Sequence, residues 1–372
     1  MQFIDLAAQQ ERLKSDIDAG IADVLASGRY ILGPQVSEFE GKLAEFGDAD
    51  YALGCANGTD AISLVLMAMN IGPGDAVFCP SFTYCATAEV IALVGATPVF
   101  IDIDRDTYNM SADSLKQAIA DVKAKGDLVP RAVIAVDLFG QSADYEALTP
   151  IVREAGLKFI ADSAQGFGTR LHGKTPLEWT DAQTTSFFPA KPLGCYGDGG
   201  AVLTNDEELH KVMGSLRVHG KGVDKYDNVR VGMNSRLDTL QAAILLPKLA
   251  VFGDEIEARN RVATGYTEGL RDHALRVPHV MDGVLSTWAQ YTIEVPDPFA
   301  FADALKAEGI PTARYYPKPV HMQTAYEHFP VSGNGLPNTE SCIGHIISLP
   351  MHPYLTDEDQ ARIIDVAREA LA

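Results

Sequence analysis

Between residues 51 and 216 the 372-residue chain alternates short, nearly continuous apolar runs with longer stretches of helical periodicity. Strands are expected at 51–55, 76–80, 97–103, 132–139, 158–162, 184–188 and 200–204, several of them nearly continuous apolar runs. A strand that is apolar on both faces has to be covered on both, the condition of parallel sheets flanked by helices. Helical patterns lie between them at 60–69, 82–94, 111–125, 145–155 and 206–216. Leu13, Ile17, Ile21, Val24 and Leu25 mark a leading amphipathic helix. This order predicts an α/β architecture with a mostly parallel sheet.

The length leaves room for two domains, and the pattern changes near residue 250. Residues 1–250 read as the large α/β domain and 251–372 as a smaller α+β domain. The second part carries a charged helix at 251–270, a strand at 288–295, helices at 299–308 and 357–371, and prolines clustered between 311 and 353, a mark of irregular backbone. Asp238 followed by Gln241 predicts a capping box ahead of an apolar helix. Pro247 is expected to kink or end that helix, because it lacks an N–H and crowds the preceding turn.

Charge and composition narrow the function. Thirty Lys and Arg against 50 Asp and Glu leave a net charge of −20, which argues against nucleic acid as a partner. Small phosphorylated ligands stay open, since backbone amides suffice for those. Asp5, Glu11, Arg12 and Lys14 interrupt any secretory core at the N-terminus. The apolar stretch at 61–69 is too short for a bilayer, so no membrane partner is expected. Five cysteines, at 55, 79, 85, 195 and 342, form no CxxC pair, which suits a reduced, cytoplasmic protein. His345 and His352 fit no metal-ligand spacing and no HExxH occurs, so no metal is expected. No G-x-G-x-x-G follows the first strand, which argues against a nicotinamide dehydrogenase.

Open α/β sheets bind ligands at the edge where their strands end, and four segments fall there. Ala56-Asn57-Gly58-Thr59-Asp60 turns from the first strand into a helix. Gly58 admits a close ligand and a helix start attracts an anion, although such a turn also serves as a plain connection. Tyr84, closing the second strand, offers a flat face to a heterocycle or packs as a core aromatic. Asp162 ends an apolar strand, where a carboxylate is costly without a cation or strong donors. It suits a protonated pyridine nitrogen, or it caps the next helix. Gln165, three residues on, can donate to a nearby oxygen. Lys191 follows a strand among Pro and Gly, five residues after Ser186. Such a turn can hold an amine where desolvation lowers its pKa, whereas an isolated lysine is ordinarily a surface charge. Together these segments supply an amine, a carboxylate, an aromatic face and phosphate donors, the inventory of a pyridoxal 5′-phosphate (PLP) site.

The chain resembles the DegT/StrS group of sugar-nucleotide aminotransferases, of PLP fold type I. The resemblance runs in order through FIDLAAQQ, GRYILGP, NGTDA, PSFTY, ADSAQ, SFFPAKPLGCYGDGG, RVHG, GMNSRLDTLQAA and YYPKPVH. It implies that Lys191 bonds to the PLP aldehyde, Asp162 pairs with the ring nitrogen, Gln165 contacts the ring hydroxyl and Tyr84 stacks on the ring. Gly58, Thr59 and Ser186 would hold the phosphate, with Asn234 reaching it from the second subunit of a homodimer. Ala190 stands where Ser is frequent and Ser163 where Ala is common. Some relatives that remove a hydroxyl carry His in place of the lysine, so Lys191 favours transamination. The reaction implied moves an amino group from an amino-acid donor, glutamate in most of the group, to a keto sugar nucleotide.

Within the group, the YILGP, GCYGDGG, WAQYTI and YYPKPVH segments are most similar to enzymes that aminate C3 of a UDP-linked 3-keto N-acetylglucosaminuronic acid. Those products feed bacterial surface polysaccharides, lipopolysaccharide and O-antigen among them. Arg236, beside Asn234, would face the anionic substrate or form a surface ion pair. Arg29, His219, Tyr316 and His321 are further candidates for substrate contact. Two other readings stand beside this one: amination at C4 of a 4-keto-6-deoxy sugar nucleotide, and a regulator that keeps the fold without the catalysis.

Overall fold

A computed structural model describes every residue of the chain except 225 and 334. Two helices come first, α1 (Leu6–Ser27) and α2 (Pro34–Phe46), and then strands and helices alternate: β1 (Tyr51–Cys55), α3 (Gly58–Ala68), β2 (Asp75–Pro80), α4 (Ala86–Leu93), β3 (Thr97–Ile101), α5 (Ala112–Lys125), β4 (Val129–Val136), α6 (Tyr145–Glu154), β5 (Lys158–Asp162). A short β6 (Arg170–Leu171) precedes β7 (Ala182–Ser186), β8 (Gly200–Thr204) and α7 (Glu207–Leu216). The remainder holds α8 (Thr239–Leu270), β9 (Val284–Leu285), β10 (Tyr291–Glu294), α9 (Pro298–Ala307), α10 (Pro337–Cys342), β11 (Ile346–Leu349) and α11 (Asp357–Leu371).

Seven strands form one sheet in the order β1-β8-β7-β5-β4-β2-β3. The pairs β7·β5, β5·β4, β4·β2 and β2·β3 are parallel, while β8 runs antiparallel to both β1 and β7. Because β8 reverses twice, β1 points the same way as β7. The C-terminal ends of β1, β2, β4, β5 and β7 therefore share one edge.

The sheet is covered on both faces, as its apolar strands require. One cluster packs Leu64, Val65 and Ile91 of α3 and α4 against Val77, Ile134 and Val202. Another packs Leu115, Ile119 and Leu148 of α5 and α6 against Phe78, Val133 and Phe159. A separate cluster, drawn from 262–371, joins Tyr266, Tyr291, Ile293, Leu305, Ile347 and Ile363 around the β10·β11 pair.

The chain departs from the sequence expectations in several places, among them the following. Pro247 does not end its helix; α8 runs through it for 32 residues and crosses position 250. Proline leaves the Ala243 carbonyl without its helical N–H. Gly20 of α1 lies against that carbonyl, where an added Cβ would sit 3.2 Å away, so the helices meet backbone to backbone. Burial of Leu245, Lys248, Leu249, Phe252 and Ile256 outweighs the local penalty. The capping box is also absent: Asp238 makes no side-chain cap bond, and the Gln241 amide instead brackets Tyr196, accepting from its N–H and donating to its carbonyl. The strand expected from 288 begins at 291, after Trp288 turns through φ 47°. Finally, the proline-rich stretch contains a true strand, β11, fully buried and paired with β10.

Candidate active site

Lys191 sits in a tightly wound turn beyond β7. Its N–H donates to the Phe188 carbonyl at 2.9 Å, Phe187 N–H donates to Gly199 O, and Cys195 N–H closes the turn on Phe187 O. A Cβ at Gly194 would meet Pro189 O at 2.5 Å, so no larger residue fits there. Helix α8 clamps the far side: the buried Lys248 ammonium donates to Gly194 O at 2.7 Å and lies 4.2 Å over the Tyr196 ring. Burial pulls the Lys191 ammonium below its ordinary value, and the charge of Asp162 acts the other way. Desolvation wins, which leaves a larger fraction of free amine near neutrality.

Asp162 closes β5 with 5% of its surface exposed. Its Oδ2 accepts from the Thr87 hydroxyl at 2.8 Å and its Oδ1 from the Ala164 amide at 3.2 Å. Burial pushes its carboxyl up, while those donors and the Lys191 charge pull it back. A carboxylate so enclosed calls for a cation. Thr87, within α4, was not legible in advance: nothing distinguishes it from other helix residues until the fold brings the start of α4 to the end of β5.

The start of α3 forms a cradle. Asn57 Oδ1 accepts from the Asp60 amide, and among the described residues the Gly58 and Thr59 amides find no acceptor. Those two donors, at the positive end of the helix, face an edge where an anion fits. Gly58 lies against Ser186, whose Cβ is 2.7 Å from where a Gly58 Cβ would be. Gly58, Thr59 and Ser186 thus come together on this strand edge.

Gln165 is buried with both ends engaged: Oε1 accepts from Phe139 N–H and Nε2 donates to Tyr316 Oη, each at 2.8 Å. A second Nε2 hydrogen is left for a ligand. Tyr84 is 58% exposed, with its ring 6.4 Å from that of Tyr316. Tyr316 is half-buried, and burial raises its phenol above the ordinary value. The ring of His321 is taken up within the protein. Its Nδ1 pairs with Ser81 Oγ at 2.6 Å and its Nε2 lies 3.4 Å from Glu340. Serine, histidine and carboxylate in series invite a nucleophile reading, but Ser81 is fully buried and its Oγ also accepts from the His321 amide. It is a latch between two loops.

Asn234 and Arg236 lie next to each other, Arg236 donating to the Asn234 side-chain oxygen. Between them Ser235 is buried, its hydroxyl accepting from the Ala56 amide at 3.1 Å, which ties this loop to the cradle. The loop with Arg29 meets the start of α8, through an Ile31·Asp238 bridge and the Gly33 amide on Thr239 Oγ1. Arg29 is exposed. His219 is exposed in a left-handed turn at φ 65°, its amide on Met233 O. Charge coupling links Asp162 with Lys191 and with Tyr316, and a hydrogen bond links Tyr316 with Gln165, while Gly58 and Ser186 touch on the same strand edge. Arg29, His219 and Asn234 are exposed and Arg236 is half-buried. Among the described residues no cluster of His, Cys, Asp and Glu suits a metal, and no helix is long and apolar enough to cross a membrane. Burial pushes the Cys195 thiol up to about 11, which makes it a poor nucleophile.

A mixed seven-stranded sheet with an amine, a carboxylate and an anion cradle on one edge defines a fold-type-I PLP-dependent transferase. Residues 11–368 match the DegT/DnrJ/EryC1/StrS aminotransferase family, and the chain belongs to it. With that membership come PLP as cofactor and amino transfer to sugar nucleotides. The chain is 46% identical, over 99% of both lengths, to UDP-2-acetamido-2-deoxy-3-oxo-D-glucuronate aminotransferase of Pseudomonas aeruginosa. It is 40% identical, over 99% of itself and 97% of the relative, to the pleiotropic regulatory protein of Geobacillus stearothermophilus. The crystal structure of a DegT DnrJ EryC1 StrS aminotransferase from Brucella abortus superposes with a TM-score of 0.98, at 52% identity and full coverage of both chains.

Proposed function

We propose that the chain transfers an amino group from glutamate to the 3-keto group of a UDP-linked N-acetylglucosaminuronic acid, for bacterial surface polysaccharide in the cytoplasm. The observation that carries the chemistry is the pairing, on one sheet edge, of a desolvated amine at Lys191 with an enclosed carboxylate at Asp162. The likeness to the Pseudomonas enzyme supports the substrate.

The residues present fit PLP. The free Gly58 and Thr59 amides and Ser186 suit a phosphate, Asp162 a pyridinium, Gln165 a ring oxygen, and the exposed Tyr84 face the ring. Bound there, the cofactor supplies a carbonyl that takes up the amino group and a ring that accepts electrons. Asp162 holds a proton on the ring nitrogen, so that the ring stays electron-poor. Lys191 Nζ would take the proton from the donor's α-carbon and give it up again at the cofactor's former carbonyl carbon. Thr87 keeps Asp162 aimed. For the second half the same groups act in reverse on the keto sugar, with Arg29, His219, Arg236, Tyr316 and His321 as candidates along its path. The reading includes a homodimer in which Asn234 reaches the neighbouring subunit's phosphate, and a division at residue 250 into a large and a small domain. Val223, Val229 and Val231 are exposed on the segment that leads to Asn234. Replacing Val229 and Val231 by Asp is expected to yield monomers by sedimentation; an unchanged dimer rejects this interface.

A non-catalytic regulator is the reading suggested by the Geobacillus relative's name; Lys191 and Asp162 speak for catalysis. Incubation of the PLP-loaded protein with glutamate and each keto sugar, followed by mass spectrometry, separates the cases. We expect an aminated product from the 3-keto uronic acid nucleotide. Product only from a 4-keto-6-deoxy sugar reassigns the substrate, and none from any keto sugar favours the regulator.

A further inference from the structure

Asp137 follows β4 on the same edge and is fully buried. Its Oδ1 accepts from the Ala143 amide at 2.9 Å and the Tyr145 hydroxyl at 2.8 Å, and its Oδ2 accepts from the Ser163 hydroxyl at 2.5 Å. Ser163 Oγ in turn accepts from Gln183 Nε2 at 2.9 Å, which commits the serine proton to Asp137. The Asp137 amide donates to the carbonyl of Asp162 at 3.0 Å. Gly166 is pressed on its other side, with room for no Cβ. Three donors and no acceptor describe a cage for an ionised carboxylate. Two carboxyl groups thus lie one behind the other at the ends of neighbouring strands. Ser163 is the residue that links them.

We propose that Asp137 is a positioning residue for the reaction: through Ser163 it fixes the segment that carries Asp162 and Gln165, and its charge stands behind that of Asp162. The inference rests on Asp162 being the partner of the ring nitrogen. A second anion raises the proton affinity of the first and of whatever cation the first holds. The groups facing Asp137 are Tyr145 from α6 and Ser163 and Asp162 from the end of β5, with Lys191 beyond Asp162. Burial, with the Asp162 charge adding to it, pushes the Asp137 carboxyl up to about 7 against the three donors, so it is charged in mildly alkaline solution.

The test is the pH titration of the visible absorption band of the PLP-loaded protein, which reports the proton held at the cofactor without turnover. Asp137→Asn keeps the shape and removes the charge, and Ser163→Ala removes one hydroxyl. The midpoint is expected to fall by about half a unit in Asp137→Asn and by less in Ser163→Ala. kcat should fall about tenfold in Asp137→Asn with KM for the donor nearly unchanged. Midpoints unchanged in both variants overturn the proposal; should Asp137→Asn fail to fold, Ser163→Ala decides alone. Asp162→Asn is the control. If it moves the midpoint and the other two do not, this inference fails while the reading of Asp162 stands. If it does not move the midpoint, the reading of Asp162 fails first.

Discussion

Asp162 is held in place by a threonine hydroxyl and one amide, and both bonds act on the charged form. Removing the Thr87 hydroxyl costs a hydrogen bond to a charged group, worth about 1.5–3 kcal/mol. Thr87→Val is therefore expected to lower kcat about tenfold or more and to leave the folded structure intact. Circular dichroism and steady-state kinetics on the loaded protein check both, and an unchanged kcat would remove Thr87 from the machinery. Asp162 was legible because an apolar run ended on a carboxylate. The same rule points to Asp137 within the run at 132–139, but Leu138 and Phe139 continue the apolar pattern past it and hide the carboxylate inside the run. The strand stops at Val136. Gly58 and Ser186 were legible as parts of segments, while their contact depends on β1 and β7 pointing the same way, which the antiparallel β8 between them brings about.

At the scale of elements, the seven sheet strands lie within about three residues of their apolar runs, since burial on both faces leaves a signal that needs no long-range knowledge. Helix α8 is the opposite case. Whether Pro247 breaks it depends on the tertiary burial of Leu245, Lys248, Leu249, Phe252 and Ile256, and no local rule contains those contacts. Because the helix already pays the proline penalty, Pro247→Ala is expected to stabilise the protein by about 1–3 kcal/mol, read as a higher unfolding midpoint in urea. A lower midpoint would show that the Ala243 carbonyl is better served as it is. The cradle is a second element-scale feature. Gly58→Ala places a Cβ 2.7 Å from that of Ser186 and should push the start of α3 off β7. PLP affinity is then expected to drop at least tenfold in an absorbance titration, with little change in thermal stability of the cofactor-free protein. Equal affinity would place the phosphate elsewhere.

For the whole molecule, the pH dependence of stability has an identifiable contributor far from the edge. His352 is buried with its Nδ1 unpartnered, and burial, aided by the charge of Arg259, lowers its pKa to about 4. The unfolded chain binds that proton near 6.5 and the folded chain does not. The contribution is therefore complete above about 6.5 and is lost as pH falls toward 4. His352→Asn should show a smaller fall in melting temperature between pH 7 and 4.5 than the parent protein. An equal fall would assign the acid sensitivity to other groups.

The most direct test concerns Lys191. Borohydride reduction of the PLP-loaded protein fixes the cofactor to whichever amine carries it, and peptide mapping locates the adduct. The adduct is expected on Lys191, and Lys191→Ala should fold normally, carry no adduct and turn over nothing. An adduct on another lysine, the buried Lys248 included, or none at all, would contradict the site described here.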